Sequence, residues 1–252
     1  MFMSDENYLL ISDDGPGFHT IEGEGEWLGF PSVFMRLFGC NLTCRGFASV
    51  DAPWGCDSYI SWSKKNKYTF DQMFEFYEKN HLIEKLERGD IWKITGGEPM
   101  LRQKPLLSFV ETFTKRYGFI PRIDFETNGT VQPDLDWVTK YEATFTTSPK
   151  LASNGDPKEK RFVPSVLKWL RDQCACFKFV VQSEADVEEI FTEYINHPDI
   201  LVPVNRTWLM VCAGSRQEHV ANAEVVAELC KKYGFKMSPR LHLMVWDKAL
   251  KV

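Results

Sequence analysis

PSVFMRLFG (residues 31–39) is short, rich in β-branched and aromatic side chains, and ended by a glycine, which is how a buried strand reads. It runs directly into Cys40. The same pattern recurs in IWKITGG (91–97), RIDFETNG (122–129), EATFTTSPK (142–150), CFKFVVQ (176–182) and WLMVCAG (208–214), with a last candidate strand in RLHLMVW (240–246). Helical segments lie between most of them. Thr69 and Gln72 form a capping-box pair that opens a helix to about Arg88. Ser183 opens a second. Ser215 and Glu218 open a third, which ends at Gly234, where a left-handed cap belongs. Near-continuously apolar strands that alternate with helices imply parallel pairing with both faces buried and right-handed crossovers. Six or seven strands are too few for a closed eight-stranded barrel. The expectation is an α/β fold, a partial, open TIM-like barrel of about six parallel strands. No repeat or linker divides it, so residues 1–252 read as one domain. The stretch 151–163, with Gly155, Pro157 and the charges KEKR, reads as a solvated loop.

Composition narrows the function classes. The chain has 252 residues, 44% of them hydrophobic, which is ample for a buried core and excludes intrinsic disorder. A net charge of −5 gives a field that repels a polyanion, so direct nucleic-acid binding is not expected. MFMSDENYLL carries acids where a signal peptide carries positive charge, and no apolar run is long enough to suggest a membrane span. The expectation is a soluble cytoplasmic protein.

Seven cysteines are an odd number in a chain too long to need disulfide staples, which favours reduced thiols or metal ligands. Cys40, Cys44 and Cys56 fall within 17 residues. In a parallel α/β fold the carboxyl ends of the strands converge on one rim, where ligands bind. The first strand leads into the three cysteines, and the next ends in Thr95-Gly96-Gly97-Glu98-Pro99. The following two end in Glu126-Thr127-Asn128-Gly129 and Ser148-Pro149-Lys150. Three thiolates from one loop can hold three irons of a 4Fe-4S cluster and leave the fourth iron open to a small molecule. A structural zinc site competes but needs four ligands, and the closest histidines, His19 and His81, lie over 20 residues away. Gly96 and Gly97 lack Cβ, so the backbone there can approach a bound molecule, with Glu98 adding charge on the same turn.

The segments FHTIEGEGEWLGFPSVFMRLFGCNLTC, GCDS, TGGEP, ETNGT and TSPK, in this order, resemble those of the 7-carboxy-7-deazaguanine synthase family, within the radical S-adenosylmethionine superfamily. The pairing of GEG with RLFGCN is the specific part. The resemblance implies a modified radical S-adenosylmethionine core, usually dimeric. It implies a cluster whose open iron binds S-adenosylmethionine, and a 5′-deoxyadenosyl radical that abstracts a substrate hydrogen. The substrate implied is 6-carboxy-5,6,7,8-tetrahydropterin, contracted to 7-carboxy-7-deazaguanine with loss of ammonia, with an electron donor such as flavodoxin or ferredoxin. By the same resemblance Cys40, Cys44 and Cys56 are the cluster ligands, on a loop of about 40–58. Asp57, Gly97, Glu98 and Ser148-Pro149-Lys150 are cofactor contacts, and Glu22, Gly23, Glu24, Arg36 and Thr95 are substrate contacts; His242 resembles a family histidine near the substrate, and a satisfied core histidine on its strand is the equal alternative. Ser58 stands where a family hydroxyl contacts Mg2+, an oxygen donor of the kind a hard cation takes. A serine that merely caps the turn is the plainer reading of Ser58.

Two departures stand out. The commoner spacing is Cys-x3-Cys-x2-Cys, but Phe47 occupies the third cysteine's place here, and RGFASVDAPWG (45–55) separates Cys44 from Cys56. Glu22 replaces a glutamine often found in IQGEG, an isosteric change of donor to acceptor. Cys174, Cys176, Cys212 and Cys230 read as core packing. The competing functions are another radical enzyme, such as a glycyl-radical activase, and a zinc-stabilised binding module with no catalysis.

Overall fold

A computed structural model describes residues 7–13, 15–45, 56 and 58–249. The strands are β1 (Tyr8–Ile11), β2 (Phe18–Ile21), β3 (Pro31–Leu37), β4 (Asn66–Thr69), β5 (Ile91–Gly96), β6 (Ile123–Thr127), β7 (Thr144–Thr147), β8 (Cys176–Val181), β9 (Thr207–Val211) and β10 (Lys236–Ser238). The helices are α1 (Tyr59–Trp62), α2 (Phe70–Lys79), α3 (Leu82–Glu87), α4 (Gln103–Tyr117), α5 (Asp136–Thr139), α6 (Lys158–Arg161), α7 (Pro164–Asp172), α8 (Glu184–Ile190), α9 (Arg216–Tyr233) and α10 (Leu241–Trp246). One sheet runs in the order β10-β9-β8-β7-β6-β5-β3-β1-β4, with β2 paired to β3. From β3 to β10 along that order every pairing is parallel. β1, β2 and β4 add antiparallel pairs at the β3 end, so the sheet stays open.

Side chains alternate across a strand, and in these strands the two faces differ in kind. The outer face carries Trp92, Ile94, Ile123, Phe125, Phe145, Phe177, Phe179, Leu209 and Val211, all buried under helices. Phe109 and Phe113 of α4 pack on Trp92 with ring centroids 5.9 and 4.9 Å away, and Phe74 of α2 and Tyr117 of α4 pack on those two rings in turn. The inner face carries Lys93, Asp124, Thr146 and Lys178, which are also buried. Burial on both faces is therefore as expected, but only the outer layer is apolar.

Three local expectations are corrected. The helix opened by Thr69, whose Oγ1 accepts from Gln72 N at 3.3 Å, does not run to Arg88. It stops at Asn80, His81 takes φ 54°, and α3 starts afresh. RLHLMVW is not a strand: Pro239 ends the short β10, and Leu241–Trp246 winds into α10. A six-residue apolar run cannot separate the two by periodicity alone. The stretch 151–163 is not simply solvated, because Leu151, Asp156 and Arg161 are buried in it. Nor is Cys174 core packing: it is exposed, whereas Cys176, Cys212 and Cys230 are buried. No helix among the described residues is long and apolar enough to cross a membrane.

Candidate active site

A cavity of about 530 Å3 opens where the parallel strands end. Its lining brings together residues far apart in sequence: Cys40, Cys44, Cys56 and Ser58; Gly97 and Ser148-Pro149-Lys150; and Glu22, Gly23, Glu24, Arg36, Thr95 and His242. Asp57 and most of the 45–55 insertion lie outside the described residues. Glu98 does not line the cavity, which corrects its expected role as a direct contact. It is buried behind the rim, where its carboxylate accepts from Met100 N (3.0 Å), Thr127 Oγ1 (2.9 Å) and Asn128 N (2.7 Å). Burial outweighs those donors and pushes its pKa up to about 7. Glu98 thus ties the end of β5 to the end of β6.

The two glycines before it also have a role that the sequence did not disclose. A Cβ on Gly97 would fall 2.0 Å from Gly39 O and 2.8 Å from Cys40 Cβ. The missing side chain lets the end of β5 approach the chain that enters the cysteine loop, and Glu98 N donates to Gly39 O at 2.9 Å.

Each described hydrogen bond around the thiols comes from a donor or a hydroxyl. Cys40 Sγ accepts from Leu42 N (3.5 Å) and Asn128 Nδ2 (3.9 Å), and Cys56 Sγ from Trp62 Nε1 (3.4 Å), with Ser58 Oγ 3.7 Å away. Asn128 Nδ2 also donates to Asn41 Oδ1 at 3.0 Å, bracing the loop from β6. Burial pushes the Cys40 thiol up to about 11 and raises Cys44 too, which favours the protonated form of these two until a metal displaces the proton. Among the described residues no three His, Cys, Asp or Glu side chains converge closely enough to hold a single ion. A lone zinc needs all its sulfur donors about 2.3 Å from one point. Three thiols spread along one cavity wall, with N–H groups aimed at two sulfurs, fit the outside of a multi-iron cluster.

On the cavity's inner side lies an ionic layer. Lys93 Nζ sits 2.7 Å from Asp124 Oδ2 and 3.0 Å from Glu22 Oε2. Lys178 Nζ sits 2.5 Å from both Glu24 Oε2 and Glu126 Oε1, while Arg240 Nε reaches Glu24 Oε1 at 2.8 Å. Burial alone would raise Glu24, but Lys178 and Arg240 hold its carboxyl well below the usual range. Burial would lower Lys178, and the carboxylates of Glu126 and Glu24 overcome it. Glu22 goes the other way: burial outweighs Lys93 and raises it. Among the described residues its Oε2 has no hydrogen-bond partner, although Lys93 Nζ forms an ion pair with it at 3.0 Å, and the residue lines the cavity. Sequence reasoning missed Lys93, Asp124, Lys178 and Arg240.

Arg36 and Thr95 are register partners across β3 and β5, side by side on one face. The Arg36 guanidinium lies 5.6 Å from the Phe34 ring centroid and 5.9 Å from that of Phe18, two rings stacked on each other. Gly23 meets α10: Leu241 N donates to Gly23 O at 2.9 Å, and a Cβ on Gly23 would lie 2.3 Å from His242 Nδ1. The helix that replaced the expected strand therefore still delivers His242 to the cavity.

No family model matches the chain. The crystal structure of QueE from Escherichia coli superposes with a TM-score of 0.65, covering 95% of this chain and 97% of that one at 19% identity, a likeness of fold. The 7-carboxy-7-deazaguanine synthase of Pyrobaculum aerophilum is 29% identical over 238 residues, 92% of this chain and 93% of that protein. The 7-carboxy-7-deazaguanine synthase of Hyperthermus butylicus is 32% identical over 234 residues. With that identity sustained over 90% of both proteins, the chain belongs to the 7-carboxy-7-deazaguanine synthase family.

Proposed function

We propose that this enzyme converts 6-carboxy-5,6,7,8-tetrahydropterin to 7-carboxy-7-deazaguanine with loss of ammonia. The observation that supports the reading is one cavity lined by three thiols, the Arg36 guanidinium and the buried carboxylate of Glu22. Cys40, Cys44 and Cys56 would hold a 4Fe-4S cluster, with Gly97 and the Ser148-Pro149-Lys150 turn beside the S-adenosylmethionine. When bound, the two supply a 5′-deoxyadenosyl radical. The chain's own residues bind and orient. Arg36 pairs its planar fork with the substrate carboxylate, and the stacked Phe18 and Phe34 rings limit where that fork can swing. Glu22 Oε2 and the Glu24 carboxylate accept from the amino and ring N–H groups of the pterin. Thr95, next to Arg36 in register, and His242, against Gly23, close the sides. The reducing electron would come from a flavodoxin or ferredoxin. A cytoplasmic homodimer is the proposed working state, and the seven unpaired cysteines accord with a reducing compartment.

Anaerobic incubation of reconstituted protein with the carboxypterin, a reductant and S-adenosylmethionine is expected to yield the deazapurine. S-adenosylmethionine cleavage without that product would assign the cavity to another substrate. Arg36→Ala is expected to lose about 3 kcal/mol of binding to the carboxylate, a drop in kcat/KM of roughly a hundredfold, seen mainly in KM. An unchanged KM would remove Arg36 from the substrate site.

Ser58 is proposed as the protein's oxygen donor to Mg2+. It heads α1, lines the cavity and has its Oγ 3.7 Å from Cys56 Sγ, which supports a role at the site. Ser58→Ala is expected to keep its iron but lose any stimulation of turnover by magnesium. A variant as magnesium-dependent as the parent would return Ser58 to a structural role.

A further inference from the structure

The stretch 151–163 holds the cysteine loop from outside. Asp156 is buried, and both of its carboxylate oxygens lie 3.1 Å from Thr43 N, while Thr43 Oγ1 donates to Oδ1 at 2.8 Å. Two residues along, Arg45 N donates to Asn154 O at 2.8 Å, and the Asn154 side chain bonds Cys44. Cys44 is therefore flanked on both sides by residues tied to one segment. That segment is itself braced. Asp156 N donates to Asn154 Oδ1 at 3.0 Å, and Ala152 N donates to Glu189 of α8 at 2.9 Å. The buried Arg161 reaches Lys150 O (2.9 Å), Glu189 (3.0 Å) and Glu193 (3.4 Å).

We infer that Asp156 is a positioning residue for the iron–sulfur cluster, a carboxylate clamp that fixes Thr43 and, through it, the direction of Cys44. The inference rests on the reading of Cys40, Cys44 and Cys56 as cluster ligands. With two residues between the second and third cysteines, the chain itself would keep those thiols together. Eleven residues intervene between Cys44 and Cys56, so that covalent constraint is absent. A charged acceptor 113 positions downstream instead fixes the Cys44 side of that interval, holding it before metal arrives and reducing the entropy that binding must overcome.

The test compares the parent, Asp156→Ala, Asp156→Asn and Thr43→Val after anaerobic reconstitution. It reads iron and sulfide per chain, and the rate at which a ferrous chelator strips the cluster. Asp156→Ala is expected to lose its cluster about tenfold faster than the parent, within the range that outer-shell partners command. Asp156→Asn, whose amide oxygen still accepts from Thr43 N, should fall between them. A parent-like rate for Asp156→Ala would overturn the clamp. If that variant fails to fold, judged by circular dichroism, Thr43→Val decides: it keeps the side-chain volume and removes only the hydroxyl bond. Faster stripping supports the clamp and an unchanged rate overturns it. Cys44→Ala separates the two levels of inference. Should it bind as much cluster as the parent, the ligand assignment itself fails, whereas an iron-poor Cys44→Ala beside a parent-like Asp156→Ala defeats the clamp alone.

Discussion

Cys56→Ala is expected to lose S-adenosylmethionine cleavage by more than about a hundredfold, since loss of even an outer-shell partner of a metal site reaches that size. Iron and sulfide per chain should fall in parallel. Cys56 is the most informative of the three thiols because spacing alone does not select it. Phe47 stands where the common interval would put a cysteine, and ten residues of the interval, 46–55, lie outside the described structure. Its place on the cavity wall, with Trp62 Nε1 donating to its sulfur, supports the proposal that it is the third ligand. Cys212 is the natural control. It also lines the cavity, but its sulfur accepts from Gln182 Nε2 at 3.1 Å on the far side of the sheet order from β3. Cys212→Ser is expected to keep the parent's iron. If Cys212→Ser loses the cluster and Cys56→Ala keeps it, the third ligand has been misassigned.

Lys178→Met should cause the largest loss of stability. The Lys178 ammonium is buried between Glu24 and Glu126, and removing it leaves Glu126 without that partner and Glu24 held by Arg240. Breaking a buried ion pair from one side costs about 3 to 5 kcal/mol, readable from denaturant midpoints of parent and variant apoprotein. The pH dependence has a definite sign. In the parent, Glu24 and Glu126 have lowered pKa values, so their contribution is present above the ordinary carboxylate range and is lost as pH falls through the folded values. In Lys178→Met, burial is no longer opposed by that ammonium and at least one carboxyl rises above its unfolded pKa. The variant's deficit should therefore be smallest in acid and grow as pH climbs past the carboxylate range. Adding Glu126→Gln should recover part of the loss by removing one of the two charges. A deficit under about 1 kcal/mol, flat with pH, would show the pair to be far better solvated than its burial implies.

Local pattern disclosed the strands and the rim because both are local matters. A β-branched run that ends in glycine is a strand with a turn after it, and parallel topology then puts every such turn at one end. That is why the sequence alone gathers Cys40, Thr95, Gly97 and Ser148 on one rim. The ionic layer needed a different signal, and a faint one was present. IWKITGG and CFKFVVQ each carry one lysine, and RIDFETNG one aspartate, in the middle of an otherwise buried strand. A charge in that position has to be paired, and alternation places it on the face opposite Trp92, Phe125 and Phe177. Which partners it takes was not legible, because Lys178 and Glu24 are 154 positions apart. Asp156 was hidden for the same reason, inside a segment whose glycine, proline and charges resemble any surface loop. Glu98 was misread because its carboxylate satisfies backbone N–H groups of its neighbours, a demand that no motif spells out. The strand expected at 240–246 failed on length, being too short a run to show a period of 3.6. With the family established, the activase and zinc-module readings fall away.

Three sulfur ligands that leave one iron open to S-adenosylmethionine are the centre of this account. The most direct test is the electron paramagnetic resonance spectrum of the anaerobically reduced protein before and after that molecule is added. A spectrum whose g-values shift on addition, in the parent and not in Cys56→Ala, is the expected result. A parent spectrum of a reduced 4Fe-4S cluster left unchanged by saturating S-adenosylmethionine would mean that a fourth ligand from the protein closes the cluster, and would contradict it.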